Sequence, residues 1–333
     1  MINTQRRGLL LSAVSMAAGG ALFGATRPAA AQAKSSYPDK PLRIVVPGPP
    51  GGATDILGRS LSVGLGKTFG QQVLVENKPG ASGLIAAQAV LASPADGYTM
   101  YLGITSMIQL PAMMPKMPVD FTKDFAPVSL MAFGSDLLVV STKLPAATVA
   151  DFVALAKSRP GKLSIGSYGN GTSSHLHGEL LKLRAGIDLT HVPYKGAAPM
   201  LTDLLGGQLD AAFVDQSTAN AQLKSDKLRF LAMTGTQAFK PLPQLRTLGD
   251  LGYAGFESNG FMAMMVAAGT PAAVVQRLSK EIALQIREQD VGQRLAEMGM
   301  QPVGSTPEEL VAVMTRDAPR WARIVKDANI RME

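Results

Sequence analysis

The chain has 333 residues, 46% apolar and 17% charged, which supplies a sizeable core and too little charge for a disordered polyelectrolyte. Cysteine is absent, which excludes disulfides, thiolate zinc sites, a cysteine nucleophile and a lipid-anchored cysteine, and three histidines argue against an imidazole-rich metal centre. The formal charge of +7 falls to +4 without the first 33 residues, which hold Arg6, Arg7, Arg27 and no acid; with no run of like charges and no aromatic interleaving, nucleic acid is not an expected partner.

Residues 1–33 read as an export signal. A short basic start ends at Arg7, an apolar run follows from Gly8 to Gly24, and Ala31-Gln32-Ala33 forms a small-x-small cleavage site. Arg6-Arg7 before Gly8 also fits a twin-arginine signal, so the export route stays open. The alternative is an N-terminal membrane anchor, but Ser12, Ser15 and several glycines interrupt the run. The mature chain is expected to be exported and free, with the signal removed.

After the signal, strand and helix patterns alternate. Residues 42–47 predict a buried strand, 54–69 an amphipathic helix, 73–77 a strand, 82–92 a helix and 98–104 a strand. A second series follows, with helices over 148–158, 173–184 and 199–205 and strands over 163–167, 189–194, 210–214 and 228–234. Two late helices span 271–288 and 307–326, with Pro271 and Pro307 suited to first-turn positions. The methionines over 262–265 read most simply as core. Alternation of this kind implies an α/β fold with parallel sheets and right-handed crossovers. Two series of similar size predict two lobes: residues 34–140 with 235–333, and residues 141–234. The expected crossings, over 137–141 and 233–236, form a two-strand hinge around a central cleft.

Ligand candidates lie in loops that follow strands. Gly48-Pro-Pro-Gly-Gly-Ala-Thr-Asp55 leads from the first strand into a helix; its glycines let backbone N–H groups approach a ligand, and Thr54 or Asp55 is the expected cap. The second lobe repeats the arrangement with Tyr168-Gly-Asn170-Gly171-Thr172-Ser173-Ser174. Free N–H groups and the helix dipole make such starts anion sites, and open parallel sheets bind ligands at these strand ends. Two facing loops suit a small molecule with a carboxylate at each end. Taken singly, each loop is better explained as a tight strand-to-helix connection; the pairing of two such loops in separate lobes makes the ligand reading its equal. The candidate contacts are Gly48, Pro49, Gly51, Gly52, Ala53, Thr54, Asp55, Tyr168, Asn170, Gly171, Thr172 and Ser173, with Thr105, Ser106, Lys195, Gly196 and Asp215 at other strand ends. Ser82 reads either as a contact or as a helix cap, and His175 either as a contact or as a helix-surface residue. His191 reads as a satisfied core group.

Catalytic and cofactor patterns fail. Gly66-Lys67-Thr68 lacks the earlier glycine of a phosphate loop, where Leu61 stands, and no Gly-x-Ser-x-Gly elbow occurs. His175 and His177 are two apart on a predicted helix and point to different faces. No catalytic residue, cofactor or metal is expected.

The segments Tyr37-Pro-Asp-Lys-Pro-Leu-Arg-Ile-Val-Val-Pro47, Pro50-Gly-Gly-Ala-Thr-Asp55, Val75-Glu-Asn-Lys-Pro-Gly-Ala81, Ala95-Asp-Gly-Tyr98 and His191-Val-Pro-Tyr-Lys-Gly-Ala-Ala-Pro199, then Leu204-Leu-Gly-Gly-Gln208, resemble the Bug receptors, the periplasmic solute-binding proteins of tripartite tricarboxylate transporters. The resemblance runs from Tyr37 to the C-terminus. It implies a type II periplasmic-binding-protein fold closing on a small carboxylate (a dicarboxylate, an amino acid or an aromatic acid), a monomeric, non-enzymatic receptor, and delivery to two integral membrane subunits. It further implies that one carboxylate meets the N–H groups near Gly52 and Ala53 and the Thr54 hydroxyl, partly through water, and that the 169–173 loop meets the other end. Relatives commonly carry an aromatic residue where this chain has Gly48, which implies either a roomier pocket or the loss of a stacking wall. The alternatives are an exported α/β hydrolase or transferase using Ser173 and His175, and a sensor for a membrane signalling partner.

Overall fold

A computed structural model describes residues 37–288 and 290–331. The expected signal over 1–33 lies outside the described residues. In chain order the elements are β1 (Leu42–Val46), α1 (Ala53–Phe69), β2 (Val73–Asn77), α2 (Leu84–Leu91), β3 (Thr99–Ile104), α3 (Ser106–Met113), β4 (Phe125–Gly134) and β5 (Asp136–Ser141). They continue with α4 (Val149–Ser158), β6 (Ser164–Ser167), α5 (Ser173–Ala185), β7 (Thr190–Pro193), α6 (Ala197–Gly206), β8 (Ala211–Asp215), α7 (Gln216–Asn220) and β9 (Leu228–Met233). The last are β10 (Gly260–Ala267), α8 (Ala272–Glu288), α9 (Asp290–Glu297), β11 (Gln301–Pro302) and α10 (Pro307–Asp327). Among the described residues no helix is long and apolar enough to cross a membrane.

The strands form two sheets, ordered β11-β4-β10-β3-β1-β2 and β7-β6-β8-β5-β9. β1 is parallel to β2 and β3, and β6 to β7 and β8, as alternation with helices requires. Neither sheet is wholly parallel, however. β10 runs antiparallel between β3 and β4, and β5 antiparallel between β8 and β9. Those returning strands are the ones that carry the chain between lobes, so they enter each sheet from the opposite end.

The β1 sequence LRIVV is buried on both faces at Ile44, Val45 and Val46 because helices cover both sides of the sheet. Leu57, Leu61 and Leu65 form the apolar face of α1 against it, and Gly70 closes the helix in the left-handed conformation. Pro307 occupies the first turn of α10, behind a full capping box made by Thr306 and Glu309. Met262, Met264 and Met265 are buried core residues of β10.

The chain leaves the first sheet at Ser135. Asp136 already pairs with Asp215 in the second sheet, so the outward crossing precedes the 137–141 segment where it is expected. The return lies beside it: Thr234 N–H donates to Asp136 O at 2.9 Å, and Asp136 N–H donates to Thr234 Oγ1 at 3.0 Å. One buried apolar cluster extends through both lobes behind these crossings, including Tyr101 and Phe125 of the first, Phe152 and Phe213 of the second, and Trp321 of α10. α10 packs on α3 and β4 and also reaches α5, so the last helix braces both lobes.

Candidate functional site

The first loop is held by its own polar groups. Gly52, extended at φ −76° and ψ 166°, is the N-cap of α1 and offers no side chain to the free amides. Neither Thr54 nor Asp55 caps the helix, contrary to expectation. Asp55, buried in the first turn, accepts from Gly51 N–H at 2.9 Å, from Asn77 Nδ2 at 3.0 Å and from Arg59, whose guanidinium reaches both carboxylate oxygens. Burial alone would raise the Asp55 carboxyl, but Arg59, Gly51 and Asn77 outweigh it and hold it below its ordinary range. Asn77 also donates to Gly48 O at 3.0 Å, so one amide clamps two points of the loop. Asp55 thus braces the loop and presents no free carboxylate to a ligand.

Gly48 has a local reason to be glycine. A Cβ there would collide with Thr54 Oγ1.

The second loop is similarly self-bound. Thr172 is the N-cap of α5, but its hydroxyl donates to Gly169 O at 2.7 Å and makes no bond to the first-turn amides. Gly169 (φ 151°) and Gly171 (φ 73°) hold left-handed backbone at which side chains are strained. Gly171 N–H donates to His175 Nδ1 at 3.1 Å, so His175 is folded onto the loop. Its ring stacks on His191 at 4.2 Å, and His191 Nε2 lies 2.7 Å from Ser167 Oγ. Burial, aided by the nearby Lys182 charge, lowers His175 to about 4. Burial also lowers His191 to about 4, with His175 and Lys182 adding to it. His191 is therefore a half-buried partner of His175 and Ser167 and not a core group.

Tyr168 points to the hinge. Its hydroxyl donates to Asp136 Oδ1 at 3.0 Å, and Asp136 Oδ2 lies 2.8 Å from His177 Nδ1. His177 takes the opposite face of α5 from His175, as the spacing requires, and packs among Phe213, Phe256 and Trp321. Asp215 caps α7, accepting from Thr218 N–H at 3.0 Å and from the Ser217 hydroxyl at 2.8 Å. Burial raises its carboxyl despite these donors. Lys195 is exposed beside Gly196, the N-cap of α6.

Several expected residues do meet across the lobes. A Cβ at Gly196 would stand 3.3 Å from Pro49 Cγ, which sets the second lobe against the first loop. A Cβ at Gly260 would lie 3.4 Å from Thr105 Oγ1 and 3.8 Å from Ser173 Oγ, so both hydroxyls converge on one backbone position. Thr105 Oγ1 accepts from Phe261 N–H at 2.6 Å, and Ser106 Oγ donates to Ser82 O at 2.6 Å.

Three residues contribute in ways the sequence reading does not give: Ser82, read there as a contact or a cap, and Gln109 and Asp136, which it does not single out. Ser82 is neither a cap nor helical: α2 begins at Leu84, and the Ser82 hydroxyl donates across the crevice to the carbonyl oxygen of Asn170. Ala81 (φ 44°) and Ser82 (φ 51°) are non-glycine residues in left-handed backbone, between Gly80 and Gly83. Gln109 is fully buried; its Nε2 donates to Ser173 Oγ at 2.9 Å, and its Oε1 has no partner. Asp136 is the third, at the hinge. No motif marks them, although the run Lys78-Pro-Gly-Ala81 announces a sharp turn at Ser82.

The hydrolase arrangement does not form among the described residues. Ser173 bonds Gln109, and His175 bonds Gly171. The Ser167–His191 pair has a fully buried hydroxyl directed to Gly169 O, with no access for a substrate.

Two α/β lobes joined by two adjacent crossings, with strand-end loops of each meeting across the join, make a type II periplasmic-binding-protein fold. Residues 57–330 match the family described as the tripartite tricarboxylate transporter family receptor, TctC. The chain belongs to that family. BugT of Bordetella pertussis is 32% identical over 308 residues, covering 92% of this chain and 94% of BugT. A Pseudomonas sp. (strain P51) protein encoded between tcbD and tcbE is 34% identical over 309 residues, with 92% of each chain covered. Among solved structures, R. palustris Rpa4515 with adipate superposes with a TM-score of 0.84 at 33% identity, covering 89% of this chain and 99% of that one. The periplasmic binding protein BugD gives 0.84 at 30% identity, covering 89% and 100%. MatC from Rhodopseudomonas palustris with bound malate gives 0.81 at 27% identity, covering 87% and 100%.

Proposed function

We propose that this chain is an exported receptor that captures a small organic diacid between its lobes and delivers it to the membrane subunits of a tripartite tricarboxylate transporter. One contrast carries the reading. α1 and α5, which follow the two glycine loops, start with no side-chain cap bond, as do α2, α3 and α6, whereas α4 and α10 carry complete capping boxes and Asp215 caps α7. Uncapped first-turn amides retain their donors and the positive end of the helix dipole for an anion. An uncapped start behind a glycine loop in each lobe suits a carboxylate at each end of the ligand, and the relatives solved with adipate and with bound malate hold diacids. The contacts we assign are the backbone amides of Gly52 and Ala53 with Thr54 in one lobe, and Asn170, Thr172 and Ser173 in the other. Thr105, Ser106 and Gly196 form the wall between them. Asp55, Tyr168, His175 and Asp215 are spent on the loops and the hinge and act as supports. The role is binding without bond making or breaking.

A thermal-shift screen of ligand-free protein against mono-, di- and tricarboxylates tests this. A ligand that binds only the folded chain raises the Tm. The expected result is a rise with at least one diacid, reduced by Thr54→Ala; no response to any carboxylate from well-folded protein would overturn the reading.

A further inference from the structure

We propose that His175, Glu179 and His191 form a binding site for a divalent transition-metal ion of the zinc, nickel or copper class, placed behind the second loop. The inference is independent of which ligand the crevice takes.

The three residues each bring one donor atom to within 4.8 Å of the others. His175 and Glu179 are one turn apart on the same face of α5, and His191 comes from β7. Two imidazoles and one carboxylate suit metals of this class, whereas magnesium and calcium prefer oxygen donors alone.

The His191 ring is already oriented for the task. Ser167 Oγ lies 2.7 Å from His191 Nε2 and 3.3 Å from Gly169 O. With the hydroxyl proton directed at that carbonyl, His191 carries its proton on Nε2 and leaves the Nδ1 lone pair for a metal, the outer-sphere support that ligating histidines require. Glu179 is 17% exposed, open enough for an ion to enter.

Two interactions oppose the ion. Lys182 Nζ lies 3.0 Å from Glu179 and supplies the counter-charge in the metal-free protein, so the ammonium must move away. His175 must also give up Gly171 N–H. If Nδ1 ligates, the bond is lost directly; if Nε2 ligates, the ring proton moves to Nδ1 and faces that amide. Occupancy therefore rearranges the backbone at Gly171 in the second loop.

The test is titration of untagged, chelator-stripped full chain with zinc or nickel chloride by calorimetry, with metal content measured after dialysis. The expected result is saturable binding of one ion per chain, weakened by more than roughly tenfold in His175→Gln and in His191→Gln. Lys182→Ala should tighten it, because that variant removes the competing cation; adventitious surface binding would not respond to Lys182. Circular dichroism melting checks that each variant folds, and Glu179→Gln, on a partly exposed helix face, serves if a histidine variant does not. The proposal is overturned if neither the natural chain nor Lys182→Ala binds saturably, or if binding is indifferent to all three ligand substitutions.

Discussion

The Ser82 hydroxyl of the first lobe donates to the carbonyl oxygen of Asn170 in the second, and Ser106 in turn donates to Ser82 O. A side chain in left-handed backbone thus ties the lobes together at the loop that the closed form brings near. Ser82→Ala should weaken ligand affinity by about 0.5–1.5 kcal/mol, the net value of one hydrogen bond, through faster release. Stopped-flow dissociation rates check this; an unchanged rate would remove Ser82 from closure.

Gly48 and Thr54 compete for one space, and a double-mutant cycle can expose it. Gly48→Ala should destabilise the chain by about 1–3 kcal/mol through overpacking against Thr54 Oγ1. Adding Thr54→Ala should recover most of that loss, since the Thr54 Cβ stands 3.7 Å from the introduced methyl, an ordinary contact. Urea unfolding of the two single variants and the double variant measures the coupling.

Asp55 confers pH-dependent stability. Its folded pKa is depressed below that of the unfolded chain. The contribution is therefore complete above the unfolded carboxylate value of about 3.9 and is lost as pH falls through the lower folded value. Asp55→Asn should cost about 1.5–3 kcal/mol at neutral pH, and the difference from the natural chain should shrink toward zero in strong acid. Unfolding free energies across that window check the sign.

Asp136 joins Tyr168 and His177 at the crossing between lobes. Asp136→Ala leaves the buried His177 ring and the half-buried Tyr168 hydroxyl without this partner and should cost at least about 2 kcal/mol of stability. Tyr168→Phe removes one of these bonds and should cost about 1 kcal/mol. Denaturant midpoints of the two variants give the comparison.

Much of the fold was legible because helix and strand periods differ. The leucines of α1 recur every four residues, and β1 is a short run that is apolar but for Arg43. β4 and β10 were not legible. FAPVSLMAFG carries Pro127 and no alternation, and GFMAMMVA is apolar throughout, so neither shows a period to read. α3 escaped as well, since Pro111 lies inside it. At the candidate site, the loops and their glycines were evident, but the direction of each polar side chain was not. Asp55, Thr172, Tyr168 and Asp215 look alike from the sequence whether they face a ligand or bond their own backbone. Every loop amide and carbonyl needs a partner, and only the folded geometry shows which side chain supplies it.

The amino-acid order by itself determined two glycine-opened strand-to-helix turns, a two-lobed α/β plan and the family. These depend on neighbours along the chain, where backbone sterics and hydrophobic period act. Only the tertiary structure decided that Ser82 meets Asn170, that Gln109 meets Ser173 and that His175 stacks on His191 beside Glu179. Such pairings depend on how two sheets pack about their crossings, and no local rule of chain geometry contains that distance.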